Sequence, residues 1–169
     1  YAFPAETRST ITALSLARYY VVGMADSGTA GYFGGGVASG ASAVVDRYAF
    51  PTETRSTITA LSTATAAPAG MADSGTAGYF GGGVTTAVTA TVERYAFPAE
   101  TTSTITSLSA ARGYLGAMAD SGTAGYFGGG QPTSAVVDRY AFPAETRSTI
   151  TALSAARWYF AAMANSDGL

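Results

Sequence analysis

The chain repeats itself. The tetrapeptide Tyr-Ala-Phe-Pro begins at Tyr1, Tyr48, Tyr95 and Tyr140, at spacings of 47, 47 and 45 residues. The segment MADSGTAGYFGGG begins at Met24, Met71 and Met118. A period of this length means that each unit is one small supersecondary structure, burying its apolar face on the next unit. The 169 residues therefore read as a single repeat domain, 1–169, with units starting near 1, 48, 95 and 140. The copies diverge in two places. One follows the Leu-Ser pair, where the units read LARYYVVG, TATAAPAG, AARGYLGA and AARWYFAA. The other follows the glycine triplet, where they read VASGASAVVDR, VTTAVTATVER and QPTSAVVDR.

Each unit holds four candidate strands. In the first they cover 19–25, 29–34, 43–50 and 56–61. These segments are rich in Val, Ile, Thr, Tyr and Phe, which suit a pleated, half-buried surface, and the third alternates Val44, Asp46, Tyr48 and Phe50 with Val45, Arg47 and Ala49. Turn residues separate them: Asp26-Ser27-Gly28, the triplet Gly34 to Gly36, and Pro51. No segment carries a capped helical period. The expected class is all-β: four-stranded antiparallel units in the manner of propeller blades, or alternatively a linear β-stack or fibre of near-identical units.

The pattern Tyr32-Phe33-Gly34-Gly35, then Tyr48, then Pro51 and Thr52, then Leu61 and an arginine, resembles the kelch repeat. The resemblance covers the whole chain in about four copies, with Ile11, Ile58, Ile105 and Ile150 near the place where kelch blades carry a tryptophan. It implies a β-propeller. The GYFGGG punctuation is also similar to repeats carried by structural proteins of cyanobacterial phages. Three whole blades would cover 16–61, 63–108 and 110–153, and one blade would be split between 1–14 and 153–163. The missing second strand of that split blade leads to the expectation of a longer repeat protein, or of another chain completing the ring.

Asp-Ser-Gly-Thr occurs in aspartic proteases, where two such turns face each other so that two carboxylates share a proton. Here Asp26, Asp73 and Asp120 stand one per unit, on turns expected to point apart. They are read as structural hairpin turns: Asp26, Asp73 and Asp120 bond the local backbone, and Gly28, Gly75 and Gly122 supply positive φ. The glycine triplet has neither the G-x-G-x-x-G spacing nor the helix of a dinucleotide loop. Its glycines are expected to allow close approach between neighbouring units. The pairs Asp46-Arg47, Glu93-Arg94 and Asp138-Arg139 point to opposite strand faces, so each member seeks a partner elsewhere. Glu6, Glu53, Glu100 and Glu145 lie in proline-containing turns and are expected to be solvated.

Composition removes much chemistry. All nine cationic residues are arginines, with no Lys, His or Cys. That excludes Ser-His-Asp and Cys-His pairs, thiolate and zinc-finger sites, a Schiff base and a Walker lysine. The arginines alternate with acids and make no basic stripe, so no nucleic-acid partner is expected. No apolar run is long enough for a membrane span. No cofactor, no metal site and no catalytic residue is expected, and the chain is read as not an enzyme.

The repeated aromatics Tyr32, Phe33, Tyr79, Phe80, Tyr126 and Phe127 are expected in the core between units. The divergent ones, Tyr19, Tyr20, Tyr114, Trp158 and Tyr159, stand beside Arg18, Arg112 and Arg157. Aromatic faces next to arginine are equipment for stacking on a sugar or anchoring a partner. The sequence thus leads to a non-catalytic structural or adhesive propeller module of a larger extracellular or virion-surface assembly. Its partners would be other protein chains or further copies of itself. The alternative is a lectin-like propeller that binds glycans through this divergent region.

Overall fold

The computed structural model describes residues 10–120 and 122–162. The first Tyr-Ala-Phe-Pro copy, Glu6 and the Asn165-Ser166-Asp167-Gly168 turn lie outside the described residues. Twelve strands form three four-stranded antiparallel sheets, each a meander in chain order. The first sheet is β1 (Val22–Asp26), β2 (Ala30–Gly34), β3 (Val45–Ala49) and β4 (Thr54–Thr57). The second is β5 (Ala69–Asp73), β6 (Ala77–Gly81), β7 (Val92–Ala96) and β8 (Thr101–Ile105). The third is β9 (Gly116–Asp120), β10 (Ala124–Gly128), β11 (Val137–Ala141) and β12 (Thr146–Ile150). Register repeats with the sequence: Met24 faces Tyr32, Met71 faces Tyr79 and Met118 faces Tyr126.

Two strand boundaries differ from expectation for a backbone reason. The first strand starts at Val22 rather than residue 19, because Tyr20 holds a left-handed φ of 54°, outside the extended region. The fourth starts at Thr54 rather than residue 56, directly after Glu53, which closes the hairpin at φ 54°. That strand ends at Thr57, and the backbone then leaves the ladder. Residues 10–14, expected in a strand, form none.

The first strands line up, β1 against β5 and β5 against β9. The apolar core lies between sheets rather than inside one. Tyr32, Val45 and Leu61 of the first sheet meet Phe80, Tyr95 and Phe97 of the second. Met71, Tyr79 and Val92 of the second meet Phe127, Tyr140 and Phe142 of the third. Tyr32 stacks on Phe97 with ring centroids 5.0 Å apart, and Tyr79 stacks on Phe142 at 5.3 Å. The glycine of the Tyr-Phe-Gly run makes this approach possible. A Cβ on Gly34 would collide with the Phe80 ring, and one on Gly81 would lie 2.5 Å from the Phe127 ring. A reciprocal contact seats Met24 on Gly78 and Met71 on Gly125.

The expectation that all repeated aromatics are core holds only where a sheet has a neighbour. Phe80 and Phe127 are buried, but Phe33 is 40% exposed, because among the described residues no sheet lies against that face of the first. Met71 is buried, but Met118 is 40% exposed at the other end.

The equivalent glycines therefore differ in tolerance. Gly81→Ala is expected to destabilise the protein by about 1–3 kcal/mol through overpacking. Gly128→Ala, whose Cβ would meet only Val137 and Leu153 at 3.6–3.9 Å, is expected to cost far less. Denaturant unfolding of the two variants checks this, and equal losses would contradict the packing described.

Candidate functional site

The divergent region between the Leu-Ser pair and each first strand gathers at one end of the sheets. Its residue in the turn before the strand is left-handed in all four copies: Tyr20, Ala67, Tyr114 and Tyr159, with φ of 54°, 47°, 55° and 53°. Non-glycine residues in this region are strained and concentrate where a side chain must be aimed. Successive copies are stitched here by backbone bonds, Tyr114 N–H donating to the Ala67 carbonyl (3.3 Å) and Tyr159 N–H to that of Tyr114 (3.2 Å).

The three tyrosines at this position meet. Tyr20 and Tyr114 pack edge to face at 5.6 Å, Tyr114 and Tyr159 lie 4.3 Å apart, and Tyr20 stacks on Tyr159 at 6.1 Å. Tyr19 abuts Tyr20, and Trp158 abuts both Tyr159 and Tyr114. Tyr19, Tyr20, Trp158 and Tyr159 are 42–58% exposed. Ala67 leaves a gap in the ring set, and a groove of about 270 Å³ opens there between Tyr20, Tyr114, Tyr159, Pro68 and Leu115. Hydrogen bonding to the Tyr20 and Tyr114 hydroxyls pushes the Tyr159 phenol up. It offers aromatic faces and hydroxyl groups, the chemistry of stacking and neutral hydrogen bonding.

The arginines expected beside these rings divide. Arg18 and Arg112 do not join the cluster. Arg18 turns inward, donating to the carbonyls of Gly35 (2.6 Å) and Val44 (2.7 Å) and pairing with Asp46 (2.7 Å), both side chains fully buried. Arg112 does the same with Gly129 (2.6 Å), Val136 (2.9 Å) and Asp138 (2.5 Å). Five donors in a planar fork let one guanidinium tie a loop to two backbone carbonyls and a carboxylate at once. Those two guanidinium groups are out of reach of a ligand at the aromatic cluster. The Arg157 side chain is exposed and, among the described residues, its guanidinium donates within its own loop, to the Ala155 carbonyl and the Ser154 hydroxyl.

The Asp-Ser-Gly-Thr turns also differ from expectation. Gly28, Gly75 and Gly122 hold φ of 74°, 77° and 78°, and Thr29 N–H closes the first turn on the Asp26 carbonyl (3.0 Å). The aspartate side chains reach across sheets instead of bonding locally. Asp26 Oδ1 accepts from Gly75 N–H (2.7 Å), and Asp73 Oδ1 accepts from Gly122 N–H (2.6 Å). The turns thus lie side by side rather than pointing apart. Asp120 of the third sheet is exposed.

Of the turn glutamates, Glu53 is exposed as expected, but Glu100 and Glu145 are half-buried and paired. Arg47 pairs with Glu100 of the next sheet (3.1 Å), and Arg94 with Glu145 (2.7 Å). Tyr79 also donates its hydroxyl to Glu145 (2.8 Å). These cross-sheet partners were missed because the acid–arginine doublets name a charge without naming its neighbour. The only available signal was their recurrence one unit apart. Among the described residues, no cluster of three acids, histidines or cysteines stands ready for a metal ion. No helix is long and apolar enough to cross a membrane. Neither a protein-family model nor a curated protein matches the chain.

Burial alone would raise the Asp138 carboxyl. Hydrogen bonds from the Ser109 backbone and side chain, the Arg112 charge and a Thr149 hydrogen bond outweigh it and hold the group below the usual carboxylate range. A depressed folded-state value contributes stability above the unfolded value, near pH ~3.9, and that contribution is lost as pH falls through the folded value. Asp138→Asn is therefore expected to flatten the acid side of the stability curve. Arg112→Ala, which takes the buried partner from Asp138 and leaves it the half-buried Arg147, is expected to cost about 3 kcal/mol, against almost nothing for Arg157→Ala. Chemical denaturation from neutral pH downwards measures both, and a similar small loss in the two arginine variants would refute the assignment.

Proposed function

We propose that this protein is a non-catalytic structural module whose sheets are kelch-like propeller blades and which assembles head to tail with further copies of itself. The observation that carries this reading is a pair of complementary faces at the two ends of the sheet series, each lacking, among the described residues, the full partner set found between sheets. Each interface within the chain uses the same parts. Phenylalanine sits on glycine, methionine on glycine, tyrosine on phenylalanine, arginine against glutamate, and aspartate on a turn N–H. The third sheet presents one half of that set: Met118, Asp120, Tyr126, Gly128 and Arg139. The first sheet presents the other half: Gly28, Gly31, Phe33, Phe50 and Glu53.

Met118, Phe33 and Phe50 are each at least 40% exposed, whereas Met71, Phe80, Phe127, Phe97 and Phe142 are buried and Met24 is half-buried. Arg139 and Glu53 form no ion pair among the described residues, although Arg47 with Glu100 and Arg94 with Glu145 do. An apolar cavity of about 70 Å³ lies beside Gly128 and Met118, where the phenylalanine of a following sheet would enter. Different patches on the two partners make the contact heterologous, so it generates a closed ring or an open filament according to the rotation. The extracellular or virion setting expected from the sequence belongs to the same proposal.

Sedimentation of the purified chain tests the assembly. Concentration-dependent association is expected. Phe33→Glu and Arg139→Glu should each weaken it at least tenfold, and Arg139→Glu with Glu53→Arg should restore it by re-forming the pair between copies. A wild-type chain that sediments as a monomer at all concentrations would end the proposal.

A second reading, glycan binding, is favoured by the exposed tyrosines and Trp158 around the groove. Trp158 is the sole tryptophan, so its fluorescence reports directly on that site. Titration with neutral monosaccharides is expected to change the emission in the wild type and not in Tyr114→Ala. No change in the wild type removes this reading without touching the first.

A further inference from the structure

The buried carboxylate of each third strand is treated differently in the middle sheet. Asp46 lies against Arg18 and Arg55, and Asp138 against Arg112 and Arg147. In the second sheet the acid is Glu93, and the two arginine positions hold Thr65 and Thr102. Glu93 is only 4% exposed. Its extra methylene carries the carboxylate to two backbone donors, Ser62 N–H (2.7 Å) and Thr63 N–H (3.1 Å). Among the described residues no arginine pairs with it. Two arginines have been removed while the buried negative charge has been kept.

The guanidinium's place is not filled by protein. A cavity of about 10 Å³ lies there, with Glu93, Gly82 and four threonines on its polar side and Leu61, Pro68 and Phe80 on its apolar side. Gly82 and Thr91 are the counterparts of the residues whose carbonyls Arg18 and Arg112 take in the flanking sheets. Thr65 does not replace the arginine, because its hydroxyl donates to the Thr63 carbonyl (3.2 Å). A space of this volume holds one particle the size of a water molecule. Water would fill the space, but Glu93, with its two backbone N–H bonds, would still lack the countercharge that the flanking aspartates have, and burying an ion without one is costly.

We infer that the middle sheet binds one monovalent cation of about the size of water, potassium or ammonium, between the Glu93 carboxylate and the oxygens of Gly82 and Thr91, where the flanking sheets place an arginine. A single carboxylate calls for a single positive charge. Calcium and magnesium carry twice that charge, and magnesium also retains several waters, for which the cavity has no room.

Thermal unfolding of the full chain at constant ionic strength, with potassium chloride exchanged for choline chloride, tests this. Choline is too large to enter. Tm is expected to rise with potassium by about 3–5 °C for each tenfold increase above its dissociation constant. Ammonium is expected to act likewise. Glu93→Gln should abolish the increment. Should that variant fail to fold, the double variant Thr65→Arg with Glu93→Asp carries the pair found in the flanking sheets. It is expected to fold with a Tm independent of the cation. Equal wild-type Tm in potassium, ammonium and choline, or a potassium increment that survives in either folded variant, would overturn the site.

Discussion

The seating of an aromatic ring on a bare glycine backbone is the contact on which the rest of this structure depends. Phe80 lies where Gly34 has no side chain, and Phe127 lies where Gly81 has none. Protein interiors are packed like organic crystals, so one methyl group at such a place forces a shift of ring or strand. The close approach brings Tyr32 onto Phe97 and Tyr79 onto Phe142, and it sets Arg47 and Arg94 within reach of the glutamates one unit ahead. A four-stranded sheet of this size has two faces to cover and buries them only on its neighbours, which is why stability in such arrays is a property of interfaces.

A second constraint fixes the loops. The low charged fraction, 12%, leaves few ionic groups, and those present are concentrated at junctions. Arg18 and Arg112 each bind two backbone carbonyls and a carboxylate, clamping the segment before a first strand to the sheet that follows it. Asp26 and Asp73 pin one hairpin turn to the next. The clamp and the pin act at opposite ends of the first strand of a sheet, so the strained tyrosines at positions 20 and 114 are carried on a well-supported frame. In the middle unit three positions of the clamp differ together, with threonine at 65 and 102 and glutamate at 93.

Much of the fold was legible in the repeat. The period limited each unit to a few short strands, and the turn residues separated them in the right places. The strand ends were not legible. Tyr20 and Glu53 hold left-handed backbone that their residue types do not advertise, and each moves a boundary by two or three residues. The aromatic cluster was visible as divergence between copies, but its arginines were assigned to it on sequence adjacency. Adjacent residues need not share a surface, and Arg18 turns into the sheet while Tyr19 turns out.

By itself the sequence determined that the chain is a β-repeat, that its glycine and Asp-Ser-Gly runs serve backbone geometry, and that histidine, cysteine and lysine chemistry is absent. Those conclusions follow from residue type and local spacing. Only the tertiary structure decided which unit supplies each partner. Identical sequences at Phe33, Phe80 and Phe127 give one exposed ring and two buried ones, and identical turn aspartates at 26 and 120 give one buried and one open carboxylate. Position within a series is not encoded in a residue's own neighbourhood. It is set by whether another sheet stands beside it.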